Sequence, residues 1–172
     1  TIDVTPATGQ AWDRMARYNA TGLRVEGGLC VIDIDIDDQD LVDKVMALAL
    51  ERTPQLGEAL CRFGRGAKVA LFCRVDVGFS RIATRHWFAS AADPDDGVHC
   101  VEAFGGGSAR QFGAFGAHTI GDRDEIVIAY QWDDLGSPET VPLADLPAMT
   151  KADVVGLVDA IEALLAAEGY QP

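Results

Sequence analysis

Between Leu60 and Trp132 the chain reads as six extended segments, 60–63, 68–75, 80–88, 98–104, 111–115 and 125–132, spaced at short and mostly glycine-marked intervals. Such spacing excludes regularly alternating βαβ units, whose parallel strands need long crossovers, and favours strands that pair with near neighbours. Ahead of this run, Ala11, Trp12, Met15 and Ala16 recur at helical spacing within residues 8–18, so a short helix is expected there. Residues 22–26 and 29–36 read as strands joined at Gly27-Gly28, a hairpin with acids at its end. Asp37-Asp38 can cap a helix from about Gln39 to Arg52, with Leu41, Val42, Val45, Met46 and Ala49 as its apolar stripe and Pro54 marking its end. Residues 133–147 form a Pro-punctuated loop. Thr150 with Asp153 then has the spacing of a capping box, opening a final helix whose core face is Val154, Val158, Ile161 and Leu165. The expected fold class is α/β of the α+β kind: one mixed, largely antiparallel sheet with helices packed on a face.

The 172 residues suffice for a single domain spanning 1–172, and the longest apolar runs are far short of a membrane span. A cytoplasmic protein is therefore expected. The chain opens at Thr1 and starts almost at once on an organised segment, as expected of a piece of a longer protein. Cys30, Cys61, Cys73 and Cys100 contain no C-x-x-C pair, so free, buried thiols are expected in preference to disulfides or zinc. The net charge of -13 argues against nucleic acid as a partner, but its distribution does not. From Arg62 to Arg85 six basic residues (Arg62, Arg65, Lys68, Arg74, Arg81, Arg85) meet one acid, Asp76, while the rest of the chain holds eight basic and 26 acidic residues. An acidic body with one basic segment suits a protein that meets phosphates on one face.

The sharpest local signal is Val31-Ile32-Asp33-Ile34-Asp35, since strand alternation turns both carboxylates to one face, where they can share divalent cations. The same pattern also fits a merely acidic, solvated edge. Glu102, between apolar neighbours ahead of Gly105-Gly106-Gly107, would complete a carboxylate triad of the kind that two-metal phosphoryl transfer uses. As a lone strand Glu it can equally be an exposed residue. Arg62-Phe63-Gly64-Arg65-Gly66-Ala67-Lys68 alternates cations with glycines that let a backbone approach phosphate oxygens, although no Walker A pattern is present. His118 closes the glycine-marked stretch from Gln111, where an imidazole can contact phosphate or act as an acid. His86 and His99 read as packed or surface groups. Tyr130 and Trp132 can stack on a base or belong to the core.

Taken in order, Gly22-Leu-Arg-Val, Gly28-Leu-Cys-Val-Ile-Asp-Ile-Asp, Arg62-Phe-Gly-Arg65 with Lys68, Val101-Glu102, Gln111-Phe-Gly-Ala-Phe-Gly-Ala-His118, Tyr130-Gln-Trp132 and Leu146-Pro-Ala-Met-Thr150 resemble the bifunctional primase-polymerase branch of the archaeo-eukaryotic primase superfamily, as found in phage and plasmid replication proteins. The resemblance implies a primase-like fold and template-directed nucleotidyl transfer in DNA replication. It implies Asp33, Asp35 and Glu102 as ligands of two Mg²⁺ or Mn²⁺ ions and as the catalytic acids. Arg62, Arg65, Lys68, Gln111 and His118 would contact nucleotide or template phosphates. Where the superfamily's middle motif contributes a histidine near the triphosphate, this sequence offers Lys68. Implied partners are a single-stranded DNA template with its primer, nucleoside triphosphates and a fused helicase domain outside this chain. Two other readings of the residues stay open: a catalytically silent nucleotide or single-strand-binding module, and a metal-dependent nuclease or phosphohydrolase.

Overall fold

The computed structural model describes residues 20–89, 97–107, 110–120 and 125–172. The helix expected over 8–18 lies outside them. The described residues form ten strands: β1 (Ala20–Arg24), β2 (Leu29–Asp35), β3 (Leu60–Phe63), β4 (Val69–Val75), β5 (Ile82–Ala83), β6 (Cys100–Phe104), β7 (Gln111–Ile120), β8 (Glu125–Ala129), β9 (Gln131–Trp132) and β10 (Ala148–Met149). Two α-helices, α1 (Gln39–Arg52) and α2 (Lys151–Ala167), complete the main elements. The strands form a larger sheet of order β5-β6-β2-β4-β3-β9, with β10 paired to β4, and a smaller sheet β1-β7-β8. Every pairing is antiparallel except β10 with β4. The chain is thus a mixed α+β fold built on a largely antiparallel sheet. Among the described residues no helix is long and apolar enough to cross a membrane.

Period-two alternation divides the larger sheet's side chains between two apolar clusters. Cys30, Ile32 and Ile34 of β2, with Val69, Leu71 and Cys73 of β4 and Val101 and Ala103 of β6, meet Leu41, Val42, Val45 and Ala49 of α1 and Val154, Leu157, Ile161 and Leu165 of α2. The opposite face carries a smaller cluster, Val25, Val31, Leu60, Ala70, Phe72, Phe104 and Leu146, against which Leu23 and Phe112 of the smaller sheet pack. Both helices therefore cover one face, and the smaller sheet covers part of the other. All four cysteines are free and buried.

The helix signals are matched by the structure. The Asp38 side chain accepts a 2.9 Å hydrogen bond from Leu41 N at the start of α1. Thr150 and Asp153 make a reciprocal capping box at the start of α2.

Three strand expectations need correction. The hairpin of residues 22–26 with 29–36 does not form: β1 pairs with β7, and β2 lies between β4 and β6. Gly27 and Gly28 do turn the chain, at φ 63° and 93°, yet both hydrogen-bonding edges of β2 are taken by β4 and β6, which leaves none for β1. Of residues 80–88 only Ile82–Ala83 is a continuous strand: the Arg85 amide donates to Glu162 on α2 at 2.9 Å and interrupts the ladder, and pairing returns as single bridges at Trp87 with His99 and Phe88 with Gln171. Residues 125–132 are two strands in different sheets, with Tyr130 alone between β8 and β9.

Candidate functional site

On β2, burying Cys30, Ile32 and Ile34 against the helices leaves Asp33 and Asp35 on the other face by alternation. On β6, burying Val101 and Ala103 does the same for Glu102. Register then decides proximity: Glu102 lies directly opposite Asp33, Asp33 opposite Ala70 of β4, and Ala70 opposite Arg62 of β3. One row across the sheet thus reads Glu102, Asp33, Ala70, Arg62. Two acids of one strand, Asp33 and Asp35, thus share a face with Glu102, which is distant along the chain and lies on the neighbouring strand.

Like charges directly opposite on a sheet repel, and here each acid has its own cation. Ala70 is small enough for Arg62 to reach across it, bringing Nη2 to 3.9 Å from Asp33 Oδ1. Arg62 is only 7% exposed, its guanidinium donates to the Gly113 carbonyl oxygen of β7 and lies 4.6 Å from the centroid of the Tyr130 ring, while its Nε has no hydrogen-bond partner among the described residues. Lys68, at the end of the β3–β4 turn, places Nζ 2.5 Å from Asp35 Oδ1 and 3.5 Å from Asp37 Oδ2. Arg81, just before β5, places Nε 2.6 Å from Glu102 Oε1.

Burial dominates the electrostatics of Asp33. It pushes the carboxyl up to about 6 against the opposing pull of Arg62, with Asp35 and Glu102 adding to the rise. Burial likewise pushes the Cys61 thiol up to about 12 and Cys100 to about 11, so neither supplies a thiolate at neutral pH.

Comparison of the chain with protein-family models, curated proteins and solved structures finds no match. The site must therefore be weighed on its own chemistry.

Carboxylate oxygens are the donors that Mg²⁺ and Mn²⁺ prefer, and the set Asp33, Asp35 and Glu102 fits such an ion in donor type and in shared face. As the side chains stand, each acid is turned to its cation, and no three His, Cys, Asp or Glu side chains among the described residues form a ready-made cage.

The remaining site residues distribute unevenly. Arg62 is buried behind Asp33, so it positions that carboxylate and does not offer an open grip on phosphate. Arg65 lies in the β3–β4 turn and has no ion pair among the described residues. Gln111 opens β7 opposite Arg24, packed over Gly22 and without a hydrogen bond to the acids. His118 has its backbone in β7 opposite Ile128, and its side chain lies outside what the structure describes. Trp132 belongs to the core side: its Nε1 donates to the Ala114 carbonyl oxygen at 3.0 Å and its ring tilts against Phe72.

Sequence reasoning missed Arg81 as a site residue, although it counted in the basic segment. The available signal was weak: an arginine just ahead of a strand that pairs with the Glu102 strand.

Proposed function

We propose that the chain is the catalytic domain of a primase-polymerase, joining nucleotides on a single-stranded DNA template in phage or plasmid replication, with an archaeo-eukaryotic primase-like fold. The observation that carries this reading is the direct cross-strand register of Asp33 with Glu102, one pleat from Asp35, beside Lys68 and Arg81. Mg²⁺ or Mn²⁺ held by these three carboxylates would lower the pKa of an attacking 3′-hydroxyl and offset the charge of the triphosphate.

The protein's own part is placement. Arg62, fixed by Gly113 and Tyr130, holds the Asp33 carboxylate in position. Burial raises the affinity of Asp33 for a proton, so below about pH 6 a divalent ion would have to displace that proton to gain the carboxylate. Lys68 and Arg65 stand on a turn closed by the Gly64 amide donating to the Lys68 carbonyl oxygen at 2.9 Å, with Gly66 at φ 64° beside them as the glycine a phosphate chain would approach. Single-stranded DNA and nucleoside triphosphates are the partners this reading requires, and a helicase domain and the cytoplasm are its natural setting.

Primer extension with Mg²⁺ or Mn²⁺ tests it. The parent chain should extend a primer with release of pyrophosphate, and Asp33→Ala with Asp35→Ala should lose at least about a hundredfold in rate. Equal extension by parent and variant removes the assignment, and nucleoside monophosphate as product transfers the site to a nuclease or phosphohydrolase. A second reading, a silent nucleotide-binding module, is favoured by the ion pair on every acid. Calorimetry separates it, since a silent module binds nucleotide equally with and without the metal.

A further inference from the structure

Asp35 and Glu102 are each held by a cation that is itself partly open to solvent: Lys68 is 22% exposed and Arg81 46%. Pairs of this kind are weak and exchange readily with other counter-ions. Arg62 differs, being 7% exposed and tied to the smaller sheet. The site therefore contains one fixed cation and two replaceable ones. Lys68 bridges two carboxylates, those of Asp35 and Asp37, from a glycine-containing turn. Beside this array the buried Arg62 Nε remains without an acceptor among the described residues, so the polar groups they place around Asp33 are not fully matched.

Resting on the nucleotidyl-transfer reading, we infer that Lys68 and Arg81 are exchangeable stand-ins for the divalent ions: they neutralise Asp35 and Glu102 in the metal-free protein, and a metal ion displaces them toward the incoming phosphates. Four carboxylates (Asp33, Asp35, Asp37, Glu102) face three cations (Arg62, Lys68, Arg81) in the metal-free state. A divalent ion competes with two of these cations, and an anion that captures the displaced pair lowers the cost of that competition. Metal and polyphosphate therefore bind with positive coupling, and by linkage each raises the other's affinity by the same factor. The coupling discourages futile loading of either one alone.

Titration calorimetry on the full chain tests this with Mn²⁺ alone, with inorganic tripolyphosphate alone, and with Mn²⁺ in the presence of tripolyphosphate corrected for their association in solution. The parent should bind Mn²⁺ about tenfold more tightly when tripolyphosphate is present. Lys68→Gln and Arg81→Gln should each tighten Mn²⁺ binding alone by about threefold. In the double variant the tripolyphosphate effect should fall toward one. Lys68→Arg, which keeps the charge, should match the parent. Mn²⁺ binding that is unchanged or weaker in both Gln variants, measured on folded protein by circular dichroism, overturns the stand-in role and leaves the nucleotidyl-transfer reading intact. Absence of Mn²⁺ binding by the parent and all variants, with or without tripolyphosphate, overturns both.

Discussion

Asp33 shows how a single side chain can be placed for chemistry at the expense of stability. Its carboxyl ionises at 3.8 when free and only at about 6 in the fold, so between these values the native state binds more protons than the unfolded chain. Stability therefore falls as pH rises from about 4 to about 6 and stays lowered above that. Asp33→Asn should stabilise the protein by about 3 kcal/mol at pH 7, an advantage that vanishes below about pH 4. Urea denaturation at both pH values measures it, and a loss of stability at pH 7 would mean that ion pairing outweighs burial. Arg62 opposes the rise, so Arg62→Gln should move the Asp33 carboxyl above 6, as read by carbon-detected NMR titration. The carboxylates were legible in the sequence because alternation alone assigns Asp33 and Asp35 to one face. The burial of Arg62 was not, since it depends on a small Ala70 one strand away and on the Gly113 carbonyl of another sheet.

At the scale of elements, signals confined to one turn of chain were the readable ones. Asp38 and Thr150 both cap their helices as the local pattern predicts. The amide and hydroxyl of Thr150 hold the Asp153 carboxyl below the usual aspartate range, so this contribution is present above the unfolded value of 3.8 and is lost as pH falls below it. Thr150→Ala should lower stability by about 1 kcal/mol, seen as a reduced urea midpoint with unchanged slope. Strand pairing was less legible, for a physical reason. A period of two tells which face a residue occupies and says nothing about which strand lies alongside. Gly27-Gly28 has the dihedrals of a tight turn, yet β1 leaves for β7 and β2 takes β4 and β6 as partners. The register of Asp33 with Glu102 belongs to the same long-range information: each residue could be singled out from the sequence, but their meeting depends on the β2–β6 pairing.

Across the whole molecule, charge counted along the chain differs from charge disposed in space. The basic segment from Arg62 to Arg85 has a strong positive balance in the sequence, yet five of its six cations are paired, with Asp33, Asp35, Asp76, Glu102 and Glu162. Arg65 is the member without an ion pair among the described residues. The free positive field is thus narrower than the sequence suggests, and single-stranded DNA should bind weakly and with shallow salt dependence in the absence of metal. Under the proposed function, Arg65→Gln should reduce the slope of log affinity against log salt by about 0.7, the value for one phosphate contact on a single strand. Fluorescence anisotropy of a labelled oligonucleotide checks it, and an unchanged slope places the template elsewhere. The passage from β8 to β9 through Tyr130 also has a mechanical meaning. The chain leaves one sheet and enters the other across a single residue, whose ring rests on the same guanidinium that steadies Asp33. The crossing between the two sheets and the bracing of the site's buried cation therefore fall on one residue, so that loss of the Tyr130 ring would remove a support of both.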